Sequence, residues 1–194
     1  MLFAVYNNMR FFIFINFIFL VLSNKAAPPF NNEAYKNFII WSKDTKLNWS
    51  DFQGMPIENA AEVAMTASSV EYNYFTRGNK ISWKVTPKFY PTLSWYLPVS
   101  ATDKILQHER LHFDITELYA RMLRQQLQNN VHSDADIKTL IAIGKKLIAA
   151  WNAEQSKYDI ETNHSINTSA QQKWEFSIRK RLDALKEFAT IPQD

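Results

Sequence analysis

The chain of 194 residues has no cysteine. That excludes disulfide staples, and it excludes lipid attachment to a cysteine behind a signal peptide. Export without disulfides is ordinary in bacteria, and such a fold takes its stability from its core and from any metal it holds. Glycine is scarce as well: three glycines stand against six tryptophans, which excludes a flexible linker or a disordered tail. Neither sign of charge dominates, with 22 Lys and Arg against 19 Asp and Glu and a formal net charge of +3. No stripe of basic residues interleaved with aromatics stands out, so a nucleic-acid partner is not expected. The apolar run from Phe11 to Leu22, broken only by Asn16, is too short for a good membrane span. What is present, 46% hydrophobic residues, suits one globular domain with a real core.

Arg10 precedes that apolar run, and the run closes on Val21-Leu22-Ser23, a small-residue ending of the kind signal peptidase accepts. Residues 1–23 are therefore expected to be a signal peptide cut after Ser23, with a cut after Ala26 as second choice. Met9 begins a more conventional signal by itself. The mature protein is expected to be exported, periplasmic or secreted, from a bacterium, with no stable membrane insertion once the signal is gone. Residues 24–36, with Pro28-Pro29, read as a leader, and residues 37–190 as a single domain.

The first half of that domain is aromatic and β-branched. Phe38–Trp41, Leu47–Trp49, Val63–Tyr74, Lys80–Thr86 and Ser94–Leu97 read as strands, with Thr76–Asn79 as a hairpin turn. The second half is helical. Ser100 with Asp103 resembles a capping box, and nothing breaks a helix from there to about Gln128. A second helix is expected from Ile137 to about Ser156 and a third from about Ser169 to Phe188. Tyr158–Ser165, polar and without period, reads as the connector between them. Strands first and helices after is the order of an α+β fold.

His108-Glu109-Arg110-Leu111-His112 spells H-E-x-x-H inside the first long helix. Residues four apart on a helix lie about 40° apart around the axis, so two imidazoles there can grip one zinc ion from the same side, with Glu109 placed to handle a proton. Measured from His108, His112 lies at about 40°, Tyr119 at about 20°, and Ile105 and Leu123 at about 60°. The histidines thus share an apolar, core-facing stripe. Two satisfied core histidines would read the same way, but burying two imidazoles beside a carboxylate is costly unless something compensates, and a metal does so directly. Glu117 at about 180° and Asp114 at about 240° cannot reach the same ion; Asp114 is expected to bond another element instead. The third ligand must come from elsewhere. His132 reads as a solvated turn residue. His164 is the first choice, Asp159 the second and Glu154 the third.

His108-Glu109-Arg110-Leu111-His112-Phe113-Asp114-Ile115 with Tyr119-Ala120-Arg121 resembles a family of small exported bacterial proteins described as zinc-dependent proteases, otherwise a domain of unknown function. Leu47–Gly54, Ala64–Ser69, Ser94-Trp95, Tyr158-Asp159, Thr162, His164, Gln171 and Trp174 extend the resemblance over nearly all of the mature chain. It implies a zincin-like domain with a peptidase site, and it brings Tyr158, Asp159 and His164 forward as site residues. Arg110 stands where that family is expected to carry Gln, and Ser165 where it is expected to carry Gly.

These readings combine into an expected α+β, zincin-like domain whose sheet, built in part on Trp41, Trp49, Trp83 and Trp95, packs on the pentad helix. Zn2+ is expected on His108, His112 and His164, with Asp159 second in line for the last place. Glu109 is the expected general base and Tyr158 the candidate donor to the oxyanion. The substrate would be a peptide or protein, laid along Ser94–Leu97 by strand addition. The alternatives are a zinc-containing envelope protein that binds without hydrolysing, or an amidase acting on cell-wall peptide.

Overall fold

The computed structural model describes residues 34–58, 60 and 62–191, together with the backbone of 5–7 and 32–33. Apart from that short piece, the expected signal peptide and most of the leader lie outside the described residues. The end of the leader is docked on the domain: residues 32–35 form a 3-10 turn, Tyr35 meets Tyr90 edge to face at 5.4 Å, and Thr92 Oγ1 donates to the Ala34 carbonyl.

The architecture is mixed α+β, as the order of strands and helices implied. A four-stranded antiparallel sheet runs β1 (Val5–Asn7), β4 (Ser68–Arg77), β5 (Lys80–Phe89), β2 (Ile39–Ile40), and a separate pair joins β3 (Ala64–Met65) to β6 (Trp95–Tyr96). The β4–β5 hairpin dominates the sheet, and its register from Ser68↔Phe89 to Arg77↔Lys80 leaves the two-residue loop Gly78-Asn79. Gly78 has φ +61°, the positive value such a loop needs at its first position, and nothing lies within 4 Å of a Cβ placed there. Conformation rather than space therefore asks for glycine.

Two expected strands come out differently. Leu47–Trp49 does not extend as a strand. Residues 49–51 form a 3-10 turn, because the Asp51 carboxylate takes the Asn48 N–H at 2.7 Å and offers the backbone a local partner. Val63–Tyr74 is two strands, not one. At the break, Thr66 bonds to Glu109 and the Ala67 N–H donates to Ser94 Oγ, so these two residues leave the ladder to meet the rest of the fold.

Helix α1 (Asp103–Asn130) starts at Thr102, whose Oγ1 accepts from the Ile105 N–H; residues 98–100, with the expected cap Ser100, form a 3-10 turn ahead of it. It is buried on most of its circumference, not along one stripe. One side packs on Val70, Tyr72 and Val85 of the hairpin; others meet α2 (Ile137–Thr162) and α3 (Thr168–Ala184) through Trp151, Tyr158, Trp174 and Ile178. Trp41, Leu47, Phe52, Phe89, Leu106 and Phe113 form a second cluster. Asp114 accepts from Trp41 Nε1 at 2.7 Å, tying α1 to the segment after β2 as expected. Glu117 is fully buried and held by Arg121 and by the N–H and hydroxyl of Thr190.

Where α2 crosses β4 the approach is set by Gly144, since a Cβ there would lie 2.2 Å from the hydroxyl of the buried Tyr72. Alanine normally favours a helix over glycine by about 1 kcal/mol. Here we expect Gly144→Ala to destabilise the domain by about 1–3 kcal/mol through overpacking, read from urea denaturation. A stabilised variant would show that the two elements separate freely.

Candidate metal centre

The largest departure from the sequence reading is also the one that builds the site. Tyr158–Thr162 is not connector but the last turn of α2. Gln155, Tyr158, Asp159 and Thr162 fall at i, i+3, i+4 and i+7, one helical face, and all four are buried against α1. Polar side chains at core positions hide this periodicity from an apolar pattern search. The helix ends in Asn163, His164 and Ser165, three consecutive residues with φ of 46°, 49° and 74°. Ser165 therefore occupies the left-handed region, where glycine is at ease, which accounts physically for the glycine expected at this place.

Among the described residues, the histidines and acids that converge as a possible metal-binding group are His108, His112 and Asp159, all buried. His108 Nε2 lies 3.2 Å from His112 Nε2, and Asp159 Oδ1 lies 3.1 Å and 2.9 Å from these two nitrogens. A tetrahedral shell with bonds of ~2.0–2.1 Å has edges of roughly 3.3 Å, so the triangle is close to the size a zinc ion asks for.

The hydrogen bonds behind the imidazoles say which nitrogens are bare. Gln155 Nε2 donates to the His112 carbonyl at 3.0 Å, which only accepts, so its Oε1 must face His112 Nδ1, 2.7 Å away. Gln171 Nε2 donates to the Glu175 carboxylate at 2.9 Å, so its Oε1 must face His108 Nδ1 at 3.3 Å. Both rings thus carry a proton on Nδ1 and turn Nε2 toward the centre. Two imidazole lone pairs and a carboxylate aimed at one point repel one another unless a cation sits there. The donor set fits a metal ion of the zinc class.

A proton competes for the same place. Burial works to lower the His112 pKa, but the Asp159 carboxylate against Nε2, aided by Glu109 and Gln155, raises it to about 9. The same histidines hold Asp159 well below the usual carboxylate range despite its burial. In the metal-free protein the His112–Asp159 pair therefore stabilises the fold fully between the ordinary carboxylate and histidine values; it loses that contribution as pH rises through about 9, and again in acid as Asp159 takes up its proton. Metal uptake must displace this proton. Its apparent affinity is expected to fall about tenfold per pH unit below about 9, with proton release measurable by calorimetry in buffers of different ionisation heat. An affinity that stays flat from about pH 6 to about pH 8 would rule the shared proton out.

Two expected roles change. His164, the first choice for third ligand, lies one step out: its Nδ1 is 3.9 Å from Asp159 Oδ1 and its side chain is 43% exposed at the cavity rim. Asp159, the second choice, occupies the inner position because α2 continues one turn further than its composition suggests. Tyr158 is the other correction. Its hydroxyl is fully buried, donates to Gln171 Oε1 at 2.7 Å, and does not line the cavity, so it does not face an oxyanion. Its ring stacks on His108 at 4.5 Å and meets His112 edge-on at 4.8 Å, wedging both imidazoles in place. Glu154, the third choice, is taken up by Arg181 and by Tyr119 Oη.

Glu109 lies on the strand side of the centre. Thr66 Oγ1, at the end of β3, is 2.7 Å from its Oε2 and 3.1 Å from its backbone carbonyl. The cavity beside the metal group, about 250 Å³, is lined by Glu109, Thr66, Val63, Met65, Ile105 and Ile166 together with the metal group and His164. The strand on this wall is β3, not Ser94–Leu97 as expected. Trp95 is buried and β6 is covered on one edge by β3, with Tyr96 stacked on Trp49 at 4.5 Å. Gln155 and Glu175 went unread as site residues, and Thr66, within Ala64–Ser69, and Gln171 entered only as matching residues without a role. Gln155 is the one with a usable signal, four residues before Asp159 on the same helical face.

A bacterial family of unknown function (DUF922) has a model that matches residues 93–165 of this chain. The match spans β6, the pentad helix and α2 and runs on to Ser165, and so contains all three residues of the possible metal-binding group. That description assigns no activity. No curated protein and no solved structure matches the chain.

Proposed function

We propose that this protein is a zinc-dependent metallopeptidase of zincin type, exported and acting on a peptide or protein outside the cytoplasm. The observation that carries the reading is the pairing of a three-donor centre with an adjoining cavity whose wall includes a carboxylate that is not itself a member of the donor group. Catalytic zinc keeps three protein ligands and an open position, whereas structural zinc is closed by four.

An ion held by His108, His112 and Asp159 would supply Lewis acidity and a water acidified toward neutral pH. With such a group bound, Glu109 would serve as base toward the attacking water and would return the same proton to the amine nitrogen as the C–N bond breaks. Thr66 holds one Glu109 oxygen and keeps the carboxylate from swinging away from the cavity. The edge of β3 not paired with β6 offers backbone groups to an extended peptide, and Val63, Met65, Ile105 and Ile166 give its side chains an apolar wall.

The test is broad peptide cleavage with the full chain loaded with zinc, against the same protein stripped by chelator. Cleavage only when loaded supports the reading; stoichiometric zinc with no cleavage of any peptide, cell-wall peptide included, replaces it with a zinc-containing envelope protein. One observation favours that second reading: His164, 3.9 Å from Asp159, is near enough to swing in and close the shell.

A further inference from the structure

The two imidazoles owe their orientation to different devices, and only one of these can be taken away. The amide of Gln155 is turned by a main-chain carbonyl, which no substitution removes. The amide of Gln171 is turned by the side chain of Glu175, one helical turn further along α3. We propose that Glu175 is a positioning residue which decides, through Gln171, which nitrogen of His108 carries the proton, and so whether His108 can bind a metal.

A carboxylate only accepts, so Glu175 draws the Gln171 NH2 toward itself and leaves Oε1 facing inward. That oxygen accepts from Tyr158 Oη at 2.7 Å and from His108 Nδ1 at 3.3 Å. Without the carboxylate the amide is free to turn end for end. Its NH2 then faces Nδ1, and the Tyr158 hydroxyl has a second acceptor ready in the His108 carbonyl, 3.3 Å away. Nδ1 becomes an acceptor, the His108 proton moves to Nε2, and the lone pair aimed at Asp159 and His112 is lost.

Glu175 also lines a separate cleft of about 1010 Å³ on the other side of α1, beside Arg110 and Arg179. The affinity of the centre is thus set partly by a group outside its own cavity. This inference rests on the metal reading of the site but not on peptidase activity.

The test uses the full chain with two readouts. Histidine side-chain 15N NMR of the metal-free protein near neutral pH reports the His108 tautomer, and Co2+ titration reports affinity and the ligand-field spectrum. Wild type is expected to carry the His108 proton on Nδ1. Glu175→Ala is expected to move it to Nε2 and weaken Co2+ binding about 10–100-fold, with His112 signals unchanged. The paired change Gln171→Glu with Glu175→Gln puts the carboxylate directly against Nδ1 and is expected to restore tautomer and affinity; it also serves if Glu175→Ala fails to fold. A Glu175→Ala protein with the wild-type tautomer and affinity would overturn the proposal, as would a paired variant that behaves like one lacking the carboxylate. A tautomer shift in a protein that takes up no Co2+ would uphold the relay and remove the metal reading.

Discussion

Glu109→Gln is expected to leave zinc stoichiometry unchanged and to slow peptide hydrolysis by ~10²–10⁴-fold, the usual contribution of a positioned general base. The variant is nearly isosteric. Its amide can still meet Thr66 Oγ1, which is 2.7 Å from Glu109 Oε2, so the wall of the cavity is expected to hold its shape. The loss should appear in kcat more than in KM, because the carboxylate acts on the proton of the attacking water and not on the resting substrate. Undiminished cleavage by this variant would mean that another group takes the proton, and His164 at the rim would be the next to replace. Loss of zinc together with activity would make Glu109 a ligand in place of a base, and would remove the open-site argument.

Asp159→Ala is expected to weaken zinc binding by about a hundredfold or more. Structural zinc sites bind with ~10–16 kcal/mol; shared over about four donors, that is roughly 3 kcal/mol for each. His164→Ala is expected to cost less than about tenfold, since its ring stands 3.9 Å from Asp159 and outside the converging group. The same difference should be visible in thermal unfolding. Zinc at about a thousand times its dissociation constant stabilises the native state by ~4 kcal/mol, which for a domain of this size raises Tm by roughly 8–16 °C. Chelation should reverse that rise in wild type and in His164→Ala, and have little left to reverse in Asp159→Ala. The opposite ranking, with His164→Ala abolishing the shift, would return the third place to His164. Equal losses in both would point to a four-ligand, closed shell and to the binding-protein reading.

The two variants divide along the line between what was readable and what was not. His108, Glu109 and His112 were legible because their grouping is local: a helix brings residues four apart together whatever surrounds it. The exclusion of Asp114 and Glu117 from the ion was legible for the same reason, since helical geometry fixes their angles before any packing is known. Asp159 was legible only as an acid in the right neighbourhood. Its place depends on α2 running to Thr162, and the residues that extend it, Gln155, Tyr158, Asp159 and Thr162, are polar or amphipathic at core positions. Gln155, Tyr158 and Asp159 are buried because their partners are the imidazoles, Gln171 and the His108 and His112 carbonyls of α1, cross-helix contacts that a one-dimensional pattern does not contain; Thr162 turns back on the Tyr158 carbonyl of its own helix.

By itself, the chain's sequence determined an α+β order of elements, a helical pentad with two imidazoles and a carboxylate, and a need for some third donor. Those features follow from spacing along a helix and from composition, both local properties. Only the tertiary structure brings Asp159, and not His164, into the converging group with His108 and His112, stacks the Tyr158 ring on His108, and puts β3 on the cavity wall. It also decided the tautomers. The Nε2 atoms face inward because two glutamine amides are turned by a main-chain carbonyl and by Glu175, contacts that join residues 43 and 63 positions apart on three different helices. Such partnerships are a matter of packing, and only the folded chain brings them within hydrogen-bonding distance.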